Sequence, residues 1–303
     1  MNQSIVACGK KVDIGTPVIL WHEEGGFLCK NKRGRRACSF HAPKLNDGPT
    51  REDTEYQITD LKEAHQRLKE VVHQFVLHYD VCYCSWHCHE MFGDHSFLGS
   101  HFYLDLDGMI YQTCDLYWKT NTAPADDYKG NSRAVHVEIA NRAWEANRKE
   151  NSKIDRDEYQ KIDGRWRLVL PKKYQDKLRT PGFIPFPARE GGEQGYFTSL
   201  VNGKIVNMWD YTEEQYQSLI RLCLGVNRLL PRVELKVPWN DEIDKPVFDR
   251  LGRYASFCGI LGHAHVQDGR SGKVSKKYDP GSAMDWRRLK RIFEDEKTHR
   301  LFI

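Results

Sequence analysis

The fold class is decided by residues 60–79, which read DLKEAHQRLKEVVHQFVLHY. In the first part of this stretch apolar residues recur at helical spacing, and a Thr59/Asp60 pair before them is a typical helix cap. The apolar face of this predicted helix consists of Leu61, Ala64, Leu68, Val71 and Val72. Residues 75–79 then form a short strand that is apolar on both faces, as in a sheet covered on both sides. A helix leading directly into such a strand indicates an α/β arrangement.

Outward from this stretch, the chain shows a further strand and two hairpins. Ala134–Ile139 alternates with a period of two, so His136 and Glu138 share one face and the apolar residues share the other. We therefore expect the Glu138 carboxylate to point away from the core. The pairs Asp107-Gly108 and Asn202-Gly203 favour tight turns, and they predict hairpins over 101–112 and 196–209.

Two more helices follow in the last third of the chain. Thr212 and Gln215 form a capping box before a long amphipathic pattern that stops at Pro231. The last helix is predicted to start at Ser282, with Asp285 as its capping partner. Together these elements predict an α/β (mixed α+β) fold, with a central mixed sheet flanked by helices.

The chain divides into an arm and one main domain. Residues 1–55 contain one strand candidate, 16–21, followed by a Gly/Lys/Arg-rich stretch, and we interpret them as an appended N-terminal arm. Residues 56–303 form the predicted domain. Within it, about 142–211 is polar apart from the second hairpin and a strand-like patch at 166–170, so we predict an insertion.

Composition narrows the classes of function. With 303 residues and 40% hydrophobic content, the chain can bury one sizeable core. Its net charge is only +4, from 46 basic and 42 acidic residues, so no nucleic acid partner is expected. The chain contains no run of about 18 apolar residues, so we expect no membrane span. The N-terminus also lacks the basic-then-apolar order of a secretory signal. Nine cysteines, an odd number, are typical of reduced thiols in a chain of this size. We therefore expect a chain that is cytoplasmic as synthesised.

Three segments place metal-capable side chains where a strand ends or a loop begins. They are His78, Gly262-His263-Ala264-His265 and Lys277-Tyr278-Asp279-Pro280-Gly281. A catalytic zinc takes three protein ligands and keeps one position open for water. Two histidines and one aspartate meet this requirement, although the residues alone leave His263 and His265 as alternatives.

The order of motifs resembles a known family. The helix followed by Phe-Val-Leu-His-Tyr, Ser100-His101-Phe102 before Asp-Leu-Asp-Gly-Met-Ile-Tyr-Gln, Val-Glu-Ile-Ala-Asn, Gly-His and Lys-Tyr-Asp-Pro-Gly are similar to type 2 N-acetylmuramoyl-L-alanine amidases. That family includes phage lysozyme-amidases, cytosolic anhydromuropeptide amidases and animal peptidoglycan recognition proteins. The resemblance covers about residues 58–141 and 196–295.

The resemblance implies one zinc ion, with His78, His263 and Asp279 as its ligands. It implies hydrolysis of the amide between N-acetylmuramic acid and L-alanine, with peptidoglycan or muropeptides as the substrate partner. Glu138 matches the family's acidic residue and can act as general base. Lys277 matches a basic residue that can stabilise the oxyanion, with Lys273 or Lys276 as substitutes. His265 is then expected to have a supporting or substrate-contacting role.

Some features depart from the family. The link from His263 to Asp279 is longer than usual, so a basic loop over 270–277 is expected to border the groove. Relatives often carry Trp-His-Ala where this chain has Trp118-Lys119-Thr120. For His101 two positions are possible, one beside the groove and one packed in the structure. Two alternatives remain: a recognition module that binds peptidoglycan without cutting, and a zinc hydrolase of another amide. An active amidase serves either muropeptide trimming in the cytosol or lysis after release to the cell wall.

A dense group of metal-capable residues follows the first candidate ligand. It consists of Cys82, Cys84, His87, Cys88 and His89. A second, structural zinc is one interpretation. The spacing does not match a paired-cysteine finger, however, and residues 86–92 have a helical pattern, so buried reduced thiols are the preferred interpretation.

Overall fold

A computed structural model describes residues 2–29, 38–39, 61–94, 98–142, 144–146, 158–270 and 272–301. The strands are β1 (Ser4–Ala7), β2 (Lys10–Asp13), β3 (Val18–Leu20), β4 (Cys38–Ser39), β5 (Gln74–Tyr79), β6 (Phe102–Leu104), β7 (Ile110–Gln112), β8 (Trp118–Lys119), β9 (Ala134–Ile139), β10 (Trp144–Ala146), β11 (Tyr159–Ile162), β12 (Arg165–Leu168), β13 (Phe197–Val201), β14 (Lys204–Met208), β15 (Trp239–Asn240), β16 (Lys245–Pro246) and β17 (Gly259–Gly262). The helices are α1 (Leu61–Val71), α2 (Ser85–Asp94), α3 (Lys172–Gln175), α4 (Glu213–Leu229) and α5 (Trp286–Leu301). Short 3₁₀ turns occur at Gly130–Ser132, Gly192–Gln194, Tyr254–Ser256, His263–His265 and Gly281–Ala283.

The centre of the molecule is a six-stranded mixed sheet in the order β17-β5-β9-β6-β7-β3. Its first four strands run parallel to one another. β7 runs antiparallel to β6, and β3 runs parallel to β7. Helices pack on this sheet, so the predicted α/β (mixed α+β) fold with a central mixed sheet and flanking helices is confirmed.

The strand predictions hold closely. β9 has the predicted bounds, and β5 begins one residue before the predicted strand. The first predicted hairpin is β6 and β7, and Gly108 in its turn has a φ of 79°, which glycine adopts without strain. The second is β13 and β14, which joins β10 in a separate three-stranded sheet. The strand-like patch in the predicted insertion is β12, the partner of β11.

The capping box of α4 is confirmed, but the predicted start of α5 is wrong. The Thr212 hydroxyl accepts the Gln215 N–H at 3.1 Å, and the Gln215 side chain accepts the Thr212 N–H at 2.9 Å. Ser282 lies in a 3₁₀ turn before an extended residue, so it cannot start a helix. Instead Asp285 caps α5 by accepting the Arg288 N–H at 3.0 Å. The start depends on a tertiary contact, since the Asp285 N–H donates to the Tyr216 hydroxyl at 2.7 Å.

The two faces of the parallel strands have different roles. Alternate residues of β5 and β9 enter the main core, which α1, α4 and α5 cover; they are Phe75, Leu77, Tyr79, Val135, Val137 and Ile139. The opposite face carries His78, His136 and Glu138, all buried. Polar side chains are therefore concentrated on one face at the carboxyl end of these strands, where loops meet.

The described part of the predicted arm packs against the domain. β3 is the edge strand of the central sheet, and Ile5 and Val6 belong to the main core. The N–H groups of Cys8 and Gly9 both donate to the Asp115 carboxylate, at 2.6 and 2.9 Å. The predicted helix cap at 59–60 lies outside the described residues.

The structure shows free thiols at eight cysteines, namely Cys8, Cys29, Cys82, Cys84, Cys88, Cys114, Cys223 and Cys258, as expected for a reduced chain. Among the described residues, no helix has the length and apolar character that a membrane span requires.

Within the predicted insertion, Tyr159 stacks on Trp209 with ring centroids 3.9 Å apart, which anchors β11 to the end of β14.

Candidate metal centre

The three predicted ligands meet at the carboxyl end of the sheet. His78 is on β5, and His263 follows β17, the parallel neighbour of β5. The Nδ1 atoms of the two histidines are 3.0 Å apart. The Asp279 Oδ2 atom is 3.5 Å from His78 Nδ1 and 3.4 Å from His263 Nδ1. These three side chains form a largely buried group that can hold a metal ion.

Backbone contacts fix the two ligand segments beside each other. The Ala264 N–H donates to the Asp279 carbonyl at 2.9 Å. The loop at Asp279-Pro280 approaches the end of β17 so closely that a Cβ on Gly262 would lie 2.5 Å from the Pro280 Cδ. A larger residue before His263 would therefore push the two segments apart, which explains the Gly-His sequence.

The protonation states suit metal binding. Burial, reinforced by the neighbouring His263, lowers the pKa of His78 to about 4. Burial opposes ionisation of Asp279, but His263 and His78 outweigh it and hold the pKa of that carboxyl well below its usual range. At neutral pH, His78 is therefore a neutral imidazole and Asp279 a carboxylate, and these are the forms that coordinate a metal ion.

His136 supports the ring of His78 from behind. The His78 Nε2 atom is 3.3 Å from the His136 Nδ1 atom, and both rings are buried. When His78 presents Nδ1 to a metal, its Nε2 carries the hydrogen and donates to His136, which fixes the ring orientation. Sequence reasoning placed His136 on this face but gave it no role. The available signal was its position two residues before Glu138 on the same strand.

Glu138 lies beside the ligand group. It is opposite His78 in the β5–β9 register, and its Oε1 atom is 3.9 Å from the His78 Nδ1 atom. Only 4% of the residue is exposed. Burial, then the charges of Asp80 and Asp279, raise the pKa of Glu138 well above its usual range. A carboxyl group in this setting holds a proton readily, as a proton-transfer group must.

Of the three candidate lysines, Lys277 has the clearest relation to the site. Its positive charge adds a small part to the lowering of the His78 pKa by burial and His263, and it weakly opposes the raising of the Glu138 pKa by burial and the neighbouring carboxylates. The ammonium of Lys276 instead donates to the Asn202 carbonyl at 3.3 Å. The Lys277 carbonyl accepts from the Asn202 side chain at 2.8 Å, which anchors the end of the basic loop to the second hairpin.

The structure separates His265 from His263. The His265 Nδ1 atom accepts the Gly262 N–H at 2.7 Å, and its Nε2 atom donates to the Val247 carbonyl at 2.6 Å. His265 is buried, and both of its ring nitrogens therefore bond to backbone groups. His265 braces the turn that presents His263, and neither nitrogen is available for a metal or a substrate.

His101 has a similar structural position. Its Nδ1 atom accepts the His136 N–H at 3.0 Å and lies 3.1 Å from the Thr120 hydroxyl, and its Nε2 atom donates to the Trp118 carbonyl at 2.8 Å. The ring is completely buried. The segment Trp118-Lys119-Thr120 thus holds His101 against β9.

His101 makes stability depend on pH. Burial lowers its pKa to about 3, against 6.5 for a free histidine, so between these values the unfolded chain binds more protons. The contribution of neutral His101 is complete above pH 6.5 and decreases as the pH falls toward 3. We expect His101→Gln to reduce the slope of unfolding free energy against pH by up to about 1.4 kcal/mol per pH unit in this window. Urea unfolding of the metal-free protein checks this; parallel curves for the two proteins would contradict it.

Comparisons with known proteins add no family to this geometry. No protein-family model matches the chain. No curated protein is significantly similar to it. The function is therefore inferred from the side chains of the site and from the order of its motifs.

Proposed function

We propose that this chain is a zinc-dependent amidase that hydrolyses the bond between N-acetylmuramic acid and L-alanine in peptidoglycan or muropeptides. The observation that carries the proposal is the group of two imidazoles and one carboxylate beside a buried glutamate. The motif order along the chain, which resembles type 2 amidases, supplies the substrate class.

The donor set favours zinc over harder cations. Calcium and magnesium prefer oxygen ligands, whereas two imidazole nitrogens with one carboxylate are typical of catalytic zinc. In a tetrahedral zinc site with bonds of about 2.0–2.1 Å, the ligand atoms lie about 3.3–3.4 Å apart. The corresponding distances here are 3.0, 3.4 and 3.5 Å. Three protein ligands also leave one position for water, as a hydrolase requires.

Each residue of the site has a separate role in the proposed hydrolysis. Zinc bound to His78, His263 and Asp279 would lower the pKa of a coordinated water and polarise the amide carbonyl. Glu138 accepts the proton of the attacking water and passes it to the leaving nitrogen of L-alanine. Lys277 stabilises the negative charge that develops on the carbonyl oxygen. His136 holds the His78 ring in the orientation that binding needs.

A second candidate is a zinc hydrolase acting on another amide. It is favoured by Trp118-Lys119-Thr120, because this segment lacks the histidine that contacts substrate in relatives and instead bonds His101. A recognition module without activity is less consistent with the site, because non-catalytic relatives lack the third ligand and this chain retains Asp279.

The test uses two matched substrates. The zinc-loaded protein is incubated with a muropeptide and, separately, with its stem peptide alone, and the products are identified by mass spectrometry. We expect free stem peptide and an intact saccharide from the muropeptide, no cleavage of the stem peptide, and no reaction after chelation. Binding without cleavage would favour the recognition module. Cleavage of the isolated stem peptide would favour the hydrolase of another amide. Either result would overturn the proposed function.

A further inference from the structure

A second group of potential ligands lies beside the candidate metal centre. One carboxylate oxygen of Asp80 and the sulfur atoms of Cys82 and Cys88 are all within 4.8 Å of one another. The group shares no residue with the first one. Both cysteines are buried and free of disulfide bonds. Asp80 was absent from the cluster identified in the sequence, because it is not a cysteine or histidine and precedes the dense run.

Hydrogen bonds from the described residues reach only one of the two oxygen atoms of the Asp80 carboxylate. Its Oδ1 atom accepts the N–H groups of Cys82 and Asn141, at 2.8 and 3.1 Å. Its Oδ2 atom is buried and has no hydrogen-bond partner among the described residues. A buried carboxylate oxygen without a partner is unfavourable unless something else satisfies it. Two backbone amides that fix one oxygen while the other stays free are typical of a carboxylate that binds a metal ion.

We propose that Asp80, Cys82 and Cys88 form a second metal site, which takes a thiophilic divalent cation such as zinc. Two thiolates select such ions over calcium and magnesium, which prefer oxygen. In the bound state the three ligands carry three negative charges, which a divalent cation offsets in part, and binding releases the protons of these ligands to solvent. A water molecule completes a coordination of four.

The position of this site gives it a structural role. Asp80 directly follows β5, and Cys88 belongs to α2, so a shared cation joins the end of the strand to the helix. The Asp80 N–H also donates to the Ile139 carbonyl at 3.2 Å, which ties the same point to β9. Because Asp80 is two residues after His78, this cation would hold in place the loop that leaves the candidate metal centre.

Cobalt(II) distinguishes the two sites, because only a thiolate ligand produces a thiolate-to-cobalt charge-transfer band in the near ultraviolet. The full chain, kept reduced and metal-free, is titrated with cobalt(II) as wild type and as His78→Ala, which removes a ligand of the first site. We expect two equivalents to bind to the wild type and one to His78→Ala, with an equal charge-transfer band in both. No substrate is present, so failure of the proposed amidase function leaves this result unaffected.

The cysteine variants complete the test. Cys82→Ala and Cys88→Ala are each expected to lose the band and one equivalent of cobalt(II). Cys84→Ala is the matched control, because Cys84 is also buried in this segment but is not part of the group, and it should keep both. Circular dichroism confirms that each variant is folded. Absence of the band in wild type and His78→Ala, or its persistence in both Cys82→Ala and Cys88→Ala, would overturn the proposal.

Discussion

Replacing His263 with alanine is expected to abolish metal binding at the candidate centre and amide hydrolysis with it, whereas replacing His265 with glutamine leaves both in place. The His263 Nδ1 atom is 3.0 Å from the His78 Nδ1 atom and 3.4 Å from the Asp279 Oδ2 atom, so its loss removes one of three ligands. Loss of a residue that only orients a ligand costs about 10–100-fold in metal affinity. We therefore expect His263→Ala to cost more than about 100-fold.

His265→Gln is a close control for this change. The two histidines are two residues apart and both are buried, but His265 bonds only to the backbone of Gly262 and Val247. Glutamine retains a donor and an acceptor. Its expected effect is therefore on the free energy of unfolding, not on affinity. Calorimetric zinc titration in a Cys82→Ala background reports the first site alone. Wild-type affinity in His263→Ala, or its loss in folded His265→Gln, would refute the assignment.

The strands and the positions of the candidate ligands at strand ends were predictable because each leaves a local signal. The alternation of Ala134–Ile139 comes directly from the pleat of a strand with one face in the core, and it also identified the face that carries Glu138. His78 and His263 stand at the ends of apolar segments that become adjacent parallel strands. Their meeting in space follows from the sheet order, which places β17 beside β5 and which no local pattern of the sequence predicts.

Roles that depend on tertiary hydrogen bonds left no such signal. His263 and His265 belong to one short motif, and only the bonds of His265 to the backbone show that it is structural. The start of α5 depends on the Tyr216 hydroxyl, which comes from another helix. Asp80 is an ordinary residue after a strand in the sequence, and its free oxygen becomes evident only when Cys82 and Cys88 are placed beside it.

Replacing Glu138 with glutamine is expected to lower kcat by about 10²–10⁴-fold, the usual contribution of a general base, with little change in KM. Glutamine has nearly the same shape but cannot accept and return the proton between water and the leaving amine. The Glu138 Oε1 atom lies 3.9 Å from the His78 Nδ1 atom. It is therefore close enough to reach a water molecule on a bound metal ion, but Glu138 is not one of the three candidate ligands. Zinc content is therefore expected to stay at the wild-type level.

The split between metal binding and turnover distinguishes a base from a ligand. Metal content is measured on the same samples as the rate of stem-peptide release from the muropeptide, with His263→Ala as the reference that loses both. Glu138→Gln with full zinc and slow turnover supports the base. Loss of zinc in Glu138→Gln would make Glu138 a fourth ligand, and a decrease in kcat of less than about tenfold would exclude it as the base. The Glu138 carboxyl is almost completely buried, so a carboxylate added in solution cannot take its place. Added acetate should therefore not restore turnover in Glu138→Gln.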